Sequence, residues 1–257
     1  MSHSSLLEAV ADVATLTGDT ALQWFGRGVA VETKGDGSPV TIADRSAEEA
    51  ARAWISTHFP QDGVQGEEFP PIRPEAKRQW IIDPIDGTKA FVRGVPLWGA
   101  LVAVCEGEHV LAGAAYFPAV RELVNAAPGE GCWWNGARAH VSAVGSLAQA
   151  TVLVTDERFP ERPTRAARWR QLTREAGVAR TWGDCYGYLL VATGRAEVMV
   201  DDIVNPWDAA ALYPVITEAG GVFTSWRGVR TAFGGDIIAT NGALASVVRE
   251  HLQEYDA

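Results

Sequence analysis

"WIIDPIDGTKAF", residues Trp80 to Phe91, is the stretch on which the fold turns. Its apolar start reads as the core of a short buried strand over 79–83. Asp83 ends that strand, and Pro84, with no N–H to give to a ladder, is expected to stop it. Asp86 follows, and Gly87 permits a tight turn with close approach of a ligand to the backbone. Thr88 then opens a short helical stretch to Arg93. Two carboxylates at such a bend can each reach one of two neighbouring cations, while the helix start points N–H groups at an anion. Hard divalent ions take carboxylates together with a backbone carbonyl. The plainer alternative is that Asp86 caps a helix and Asp83 is a turn acid.

Three other segments place acids at the edges of apolar elements. "SPVTIAD" ends in Asp44, where Thr41 can cap a helix over 41–59 and Asp44 completes a variant capping box. "GVQGEEF" sets Glu67 beside Glu68 after a strand, and adjacent carboxylates repel unless a cation absorbs the charge. "NPWDAAALYPVITEAGG" puts Asp208 in the first turn of a helix, where an acid also suits the helix dipole. Each of these acids alone is explained by capping or exposure.

The rest of the chain sets the frame. Its 257 residues are 47% hydrophobic and 21% charged, ample for a core. Length allows one large domain or two small ones. The net charge of −10, with no run of Lys and Arg, argues against a nucleic-acid partner. Three cysteines without CxxC spacing read as buried thiols. No secretion signal is read at the start and no apolar run reaches about 18 residues, so neither export nor a membrane span is expected and the cytoplasm is the default location.

Helical spacing marks residues 5–17. Strands are expected at 97–105 and 110–117 with a turn at Gly107, then at "ELVNAA" and "ARAHVS" joined by "PGEGCWWNG". Past 145–150 the pattern alternates: strand 151–155, helix 161–177, strand "ARTWG", helix 184–194, strand "AEVMVD", helix 207–220, strands "GVFTSW" and "DIIAT", and a closing helix 241–254. We therefore expect an α/β protein of two halves with mixed sheets, residues 1–147 carrying most of the candidate ligands and 148–257 carrying Asp208.

An early Asp, then Glu-Glu, D-P-I-D-G-T, W-D and Gly-Gly occur in this order as Asp44, Glu67-Glu68, Asp83 to Thr88, Trp207-Asp208 and Gly220-Gly221. In this the chain resembles the inositol-monophosphatase-like family of magnesium-dependent phosphomonoesterases over nearly its full length. The resemblance implies an α-β-α-β-α layered fold like that of the fructose bisphosphatases. It implies two to three Mg2+ ions, with Glu67, Asp83 and the Ile85 carbonyl on one and Asp83, Asp86 and Asp208 on another. It implies phosphate against the N–H groups of Gly87 and Thr88. Glu67, Thr88 and Asp44 would be catalytic, the Thr88 hydroxyl, hydrogen-bonded to Asp44, positioning the attacking water. A homodimer is implied as well, with a small-molecule phosphomonoester as substrate.

"DGTKAFVRGVP" and "TWGDCYGYLLVATGRAEVMVDD" are similar to the histidinol-phosphatase branch, which implies hydrolysis of L-histidinol phosphate in histidine biosynthesis. Asp184, where the inositol enzymes carry a small residue, and Asp201, seven residues before Asp208, are the substrate-binding candidates, suited to an ammonium group. For Asp184 the alternative is a helix cap. An inositol-1-phosphate or broad sugar-phosphate phosphatase is the other enzymatic reading, and a catalytically silent binding protein is the reading from another class. Lys34, on the loop "ETKGDGSP", is a further candidate for covering the site, and Trp98 for lining it or for a dimer contact.

Overall fold

The computed structural model describes residues 3–35, 37–160 and 162–252. Helix α1 (His3–Leu22) leads into a two-stranded hairpin, β1 (Val31–Thr33) and β2 (Pro39–Thr41), and then α2 (Ile42–His58). Next come β3 (Gly63–Gly66), β4 (Arg78–Asp86), the single turn α3 (Thr88–Phe91), β5 (Gly99–Glu106), β6 (His109–Phe117), β7 (Glu122–Ala127), β8 (Gly131–Trp134) and β9 (Ala137–Arg138). The second half runs β10 (Thr151–Val154), α4 (Pro163–Glu175), β11 (Val178–Arg180), α5 (Asp184–Ala192), β12 (Val198–Asp201), α6 (Pro206–Ala209), α7 (Leu212–Glu218), β13 (Val222–Thr224), β14 (Ile237–Thr240) and α8 (Ala245–Leu252).

Strands β3 to β9 form one seven-stranded sheet in sequence order, parallel only at β3–β4. The other sheet has the order β11-β10-β12-β14-β13, parallel across its first three strands and antiparallel across the rest. Side chains alternate across each strand, so each sheet buries two faces. On β5, Val102 and Val104 pack with α1 and α2, while Leu101, Ala103 and Cys105 face the interior with α5 and α7. On β10 and β12, Leu153 and Met199 join that same interior, and Val152, Val154, Val198 and Val200 pack under α4 and α8. The layers are thus helix, sheet, helix, sheet, helix, the architecture the family resemblance implies.

Four local expectations need correction. Pro84 does not end its strand: β4 pairs with β5 through Asp83↔Leu101, loses register, and pairs again at Asp86↔Gly99. A missing N–H costs one rung, and the ladder resumes beyond the resulting irregularity. The segment "PGEGCWWNG" is not a plain connector, because β8 lies within it and "ARAHVS" contributes only Ala137 and Arg138. Asn135 and Gly136 both take positive φ, 48° and 80°, which makes them the hairpin turn. The helix expected over 207–220 is two, α6 and α7, because Pro214 cannot donate to Ala210 and tolerates only a first-turn position. Trp98 is fully buried against Phe25 and Phe91, which places it in the core and not at the site or a subunit contact. The closing helix begins at Ala245, and the part expected beyond 252 lies outside the described residues.

Candidate active site

Where β4 hands over to α3, the chain turns at Gly87 with φ 90°. A Cβ there would sit 3.0 Å from the Leu97 carbonyl oxygen, so both conformation and space call for glycine. The turn lets Asp83 accept the Ile85 N–H at 3.0 Å through Oδ1. It also carries the Thr88 hydroxyl over the Ile85 carbonyl, to which it donates at 2.9 Å. Asp44 Oδ1 lies 3.5 Å from the same hydroxyl. The Thr88–Asp44 bond implied by the resemblance is therefore at the outer limit of a hydrogen bond, and the turn's own carbonyl is the better acceptor.

Two helix starts deliver acids to this turn from other parts of the chain. Asp44 is the third residue of α2, and its Oδ2 accepts both the N–H and the hydroxyl of Thr41 at 2.7 Å. Asp208 is the third residue of α6, and its Oδ2 accepts the Asn205 N–H at 2.7 Å. Capping and pocket placement thus coincide at both positions and do not compete. From a third direction the Cys185 N–H, in the first turn of α5, donates to Asp86 Oδ2 at 2.6 Å. One carboxylate oxygen from each of Asp83, Asp86 and Asp208 can be chosen so that all three lie within 4.8 Å of one another.

Such proximity without a counter-charge is costly. Burial first, then the charges of Glu67, Asp86 and Asp208, push Asp83 well above the ordinary carboxylate range. Burial, Asp184 and Asp208 do the same to Asp86. Burial, with Glu67 adding, raises Asp208 to about 6. A cluster of hard oxygen donors that resists carrying its own charge fits a divalent cation.

Glu67 and Glu68 have a cation already. Lys34 Nζ donates to Glu67 Oε1 at 2.6 Å and to Glu68 Oε1 at 2.7 Å, reaching over from the β1–β2 hairpin. Burial works against the ammonium charge, but the two carboxylates hold Lys34 above its usual value. Behind them, fully buried Glu48 accepts the Glu68 N–H at 2.8 Å and pairs with Arg52 at 2.7 Å. Burial and the neighbouring Glu67 lift Glu68 to about 7.

Asp184 and Asp201 lie on the opposite wall. Gly183, not Asp184, is the N-cap of α5. Asp184 has φ 51°, a left-handed conformation uncommon outside glycine, and its N–H donates to Thr155 Oγ1 at 2.8 Å. Its Oδ2 lies 3.3 Å from where a Gly87 Cβ would stand, so the acid faces the Gly87 turn, and the alternative reading of a helix cap does not hold. Asp201 ends β12 and accepts the Tyr188 hydroxyl at 2.7 Å. Burial, with Asp184 and Asp208 adding, raises it to about 7 against the hydrogen bonds of Thr155 and Tyr188. Sequence reading missed Thr155 and Tyr188. Their signals were a threonine at the carboxyl end of a parallel strand and a tyrosine one turn after Asp184.

A cavity of about 390 Å³ joins these walls and is lined by Glu67, Asp83, Ile85, Asp86, Gly87, Thr88, Asp184, Asp201 and Asp208 among others. Asp44 is the one candidate behind the lining, buried and reaching the cavity through Thr88. Among the described residues no helix is long and apolar enough to cross a membrane.

Comparison with known proteins agrees with this geometry. The chain is 44% identical over 241 residues to a histidinol-phosphatase of Chlorobaculum parvum, covering 93% of both chains. It is 39% identical over 257 residues to a histidinol-phosphatase of Mycobacterium tuberculosis, covering 98% of this chain and 99% of that one. In structure it superposes on the extragenic suppressor protein suhB of Bartonella henselae with a TM-score of 0.91 at 28% identity, over 98% of this chain and all of the other. Residues 3–257 match the model described as the inositol monophosphatase family. The chain belongs to that family of metal-dependent phosphatases and is a phosphoric monoester hydrolase.

Proposed function

We propose that this protein hydrolyses L-histidinol phosphate to L-histidinol and phosphate, a step of histidine biosynthesis, using two to three Mg2+ ions. Glu67, Asp83, Asp86, Asp208 and the Ile85 carbonyl would hold the ions. Held there, the ions would supply charge neutralisation for displacement at phosphorus. The chain itself supplies position. Gly87 and Thr88 turn their N–H groups to the phosphate. Thr88 Oγ1 orients the attacking water, and with the Ile85 carbonyl committed to an ion, Asp44 Oδ1 at 3.5 Å would be the remaining acceptor for the hydroxyl proton, its other oxygen being held by Thr41. Glu67 is the nearby carboxylate able to take a proton once Lys34 yields it. Phosphoryl transfer asks mainly for this kind of placement, so no protein nucleophile is needed.

The observation that carries the choice of substrate is the wall formed by Asp184 and Asp201. Both acids are lifted by burial, and Asp184 raises Asp201 further. Lys89, on the same cavity, offsets Asp184 in part, but what opposes burial at Asp201 are the neutral hydroxyls of Thr155 and Tyr188, so the wall stays short of positive charge even after ions satisfy the other acids. An alcohol bearing an ammonium group supplies it, whereas a neutral polyol leaves the acids uncompensated. The names of the two relatives above support the same reading. It includes a homodimer, as the family resemblance implies, and a cytoplasmic location.

The test is phosphate release from histidinol phosphate and inositol 1-phosphate, with and without Mg2+. We expect a strong preference for the former, lost without the metal. The preference should fall about tenfold or more in Asp184→Asn or Asp201→Asn, the cost of one charge-assisted contact. Equal use of the two esters by the wild type, or an unchanged ratio in both variants, overturns the reading.

A further inference from the structure

Among the described residues, seven large apolar side chains are exposed, and only one of them, Ile203, lines the catalytic cavity. Single exposed apolar residues are ordinary on a protein surface. Ile203 differs in position and in how it is held. It is 57% exposed on the four-residue loop between β12 and α6, two residues after Asp201. That loop is tied at both sides of it: the Trp226 indole N–H donates to the Asp201 carbonyl at 3.0 Å, and the Val204 N–H donates to the Gly235 carbonyl at 3.0 Å. Fixed backbone on either side leaves the isoleucine standing at the rim with little freedom to retreat. Val204, Trp207 and Ile237 line the same cavity and supply further apolar surface there.

We infer that Ile203 is a specificity-determining residue, the outer edge of an apolar shelf that takes a flat ring on the leaving alcohol. The inference rests on the phosphomonoesterase reading above. It assigns the substrate class as phosphate esters whose alcohol carries a ring beyond the group that meets Asp201. Acid and shelf adjoin along one short loop, so a single alcohol can place its cationic group on the first and its ring on the second. A rim already fixed binds without first ordering a loop, and the apolar area it loses to water in the free enzyme is recovered on contact.

Two substrate pairs test this at saturating Mg2+: histidinol phosphate against 2-aminopropyl phosphate, and 2-phenylethyl phosphate against ethyl phosphate. In each pair the ratio of kcat/KM measures the ring preference. We expect Ile203→Ala to lower that ratio roughly tenfold. The loss should appear in KM, and Ile203→Leu should restore most of it. An unchanged ratio in Ile203→Ala, or no ring preference in the wild type for either pair, overturns the shelf. If the wild type ignores histidinol phosphate but its preference for 2-phenylethyl over ethyl phosphate is lost in Ile203→Ala, the shelf stands and the histidinol reading fails. Because Ile203 makes few contacts in the folded chain, thermal unfolding of the variants should match the wild type.

Discussion

Asp83 and Asp236 are both buried carboxylates, 2% and 8% exposed, and they are managed in opposite ways. Asp236 accepts Arg165 Nη2 at 2.7 Å and the Trp226 N–H at 2.9 Å, and the same guanidinium stacks over the Trp226 ring. Every neighbour of that acid answers its charge. Around Asp83 the charged groups that act on it are the acids Glu67, Asp86 and Asp208, which add to its charge. A fold able to build a compensated buried acid on one sheet has left an uncompensated cluster at the end of another. The contrast separates an acid that holds the protein together from acids that wait for something to bind.

The largest effect should come from setting the two side by side. Asp83→Asn is expected to lower phosphatase activity by roughly a thousandfold, the scale of losing a main electrostatic group. The same change should raise the thermal midpoint of the metal-free protein, since it removes a repelling charge. Asp236→Ala should do the reverse to the fold, destabilising it by about 3 kcal/mol in urea unfolding because the buried Arg165 guanidinium loses the carboxylate it is bonded to. If both variants shift stability in the same direction, the distinction collapses.

A smaller effect follows from pH. Glu68 and Asp201 are raised to about 7 and Asp208 to about 6, above ordinary values of 4.5 for glutamate and 3.8 for aspartate. Between those limits the folded protein holds protons that the unfolded chain has released. Stability of the metal-free protein must then fall as pH rises from 5 to 8. We expect its melting temperature to drop over that range by several degrees, at about 2–4 °C per kcal/mol. Mg2+ should restore more at pH 8 than at pH 5, and an opposite slope in differential scanning fluorimetry would contradict the charge deficit.

The smallest effect is at Lys34. It is an internal counter-ion for Glu67 and Glu68, but it arrives on an exposed hairpin and remains partly solvated. Lys34→Met should cost about 1 kcal/mol without metal, well below Asp236→Ala. A cost as large as the latter would place Glu67 and Glu68 with the structural acids.

Much of this site is legible in the chain because its parts are local signals. Asp83 to Thr88 is a strand, a turn and a helix start in six residues, and Asp44 and Asp208 each sit at the third position after a capping residue. Sequence reading does not show how those parts are joined. Thr155 reaches Asp184 across 29 residues, and Cys185 reaches Asp86 across 99. The Lys34 contacts with Glu67 and Glu68 likewise exist only once the hairpin has folded over. Pro84 misled because its lost rung is absorbed by the next pairing, and "CWWNG" misled because its turn, Asn135-Gly136, comes after a strand hidden among turn-forming residues.

Asp44 and Asp208 each spend one oxygen on starting a helix and keep the other side of the carboxyl toward the cavity. The scaffold therefore aims its reagents with the same bonds that begin its secondary structure. An alanine at either position would blunt the chemistry and fray the first turn together, so loss of turnover there is not by itself a measure of chemical role. Asparagine, which keeps an acceptor for the cap and gives up the charge, is the substitution that tells one duty from the other.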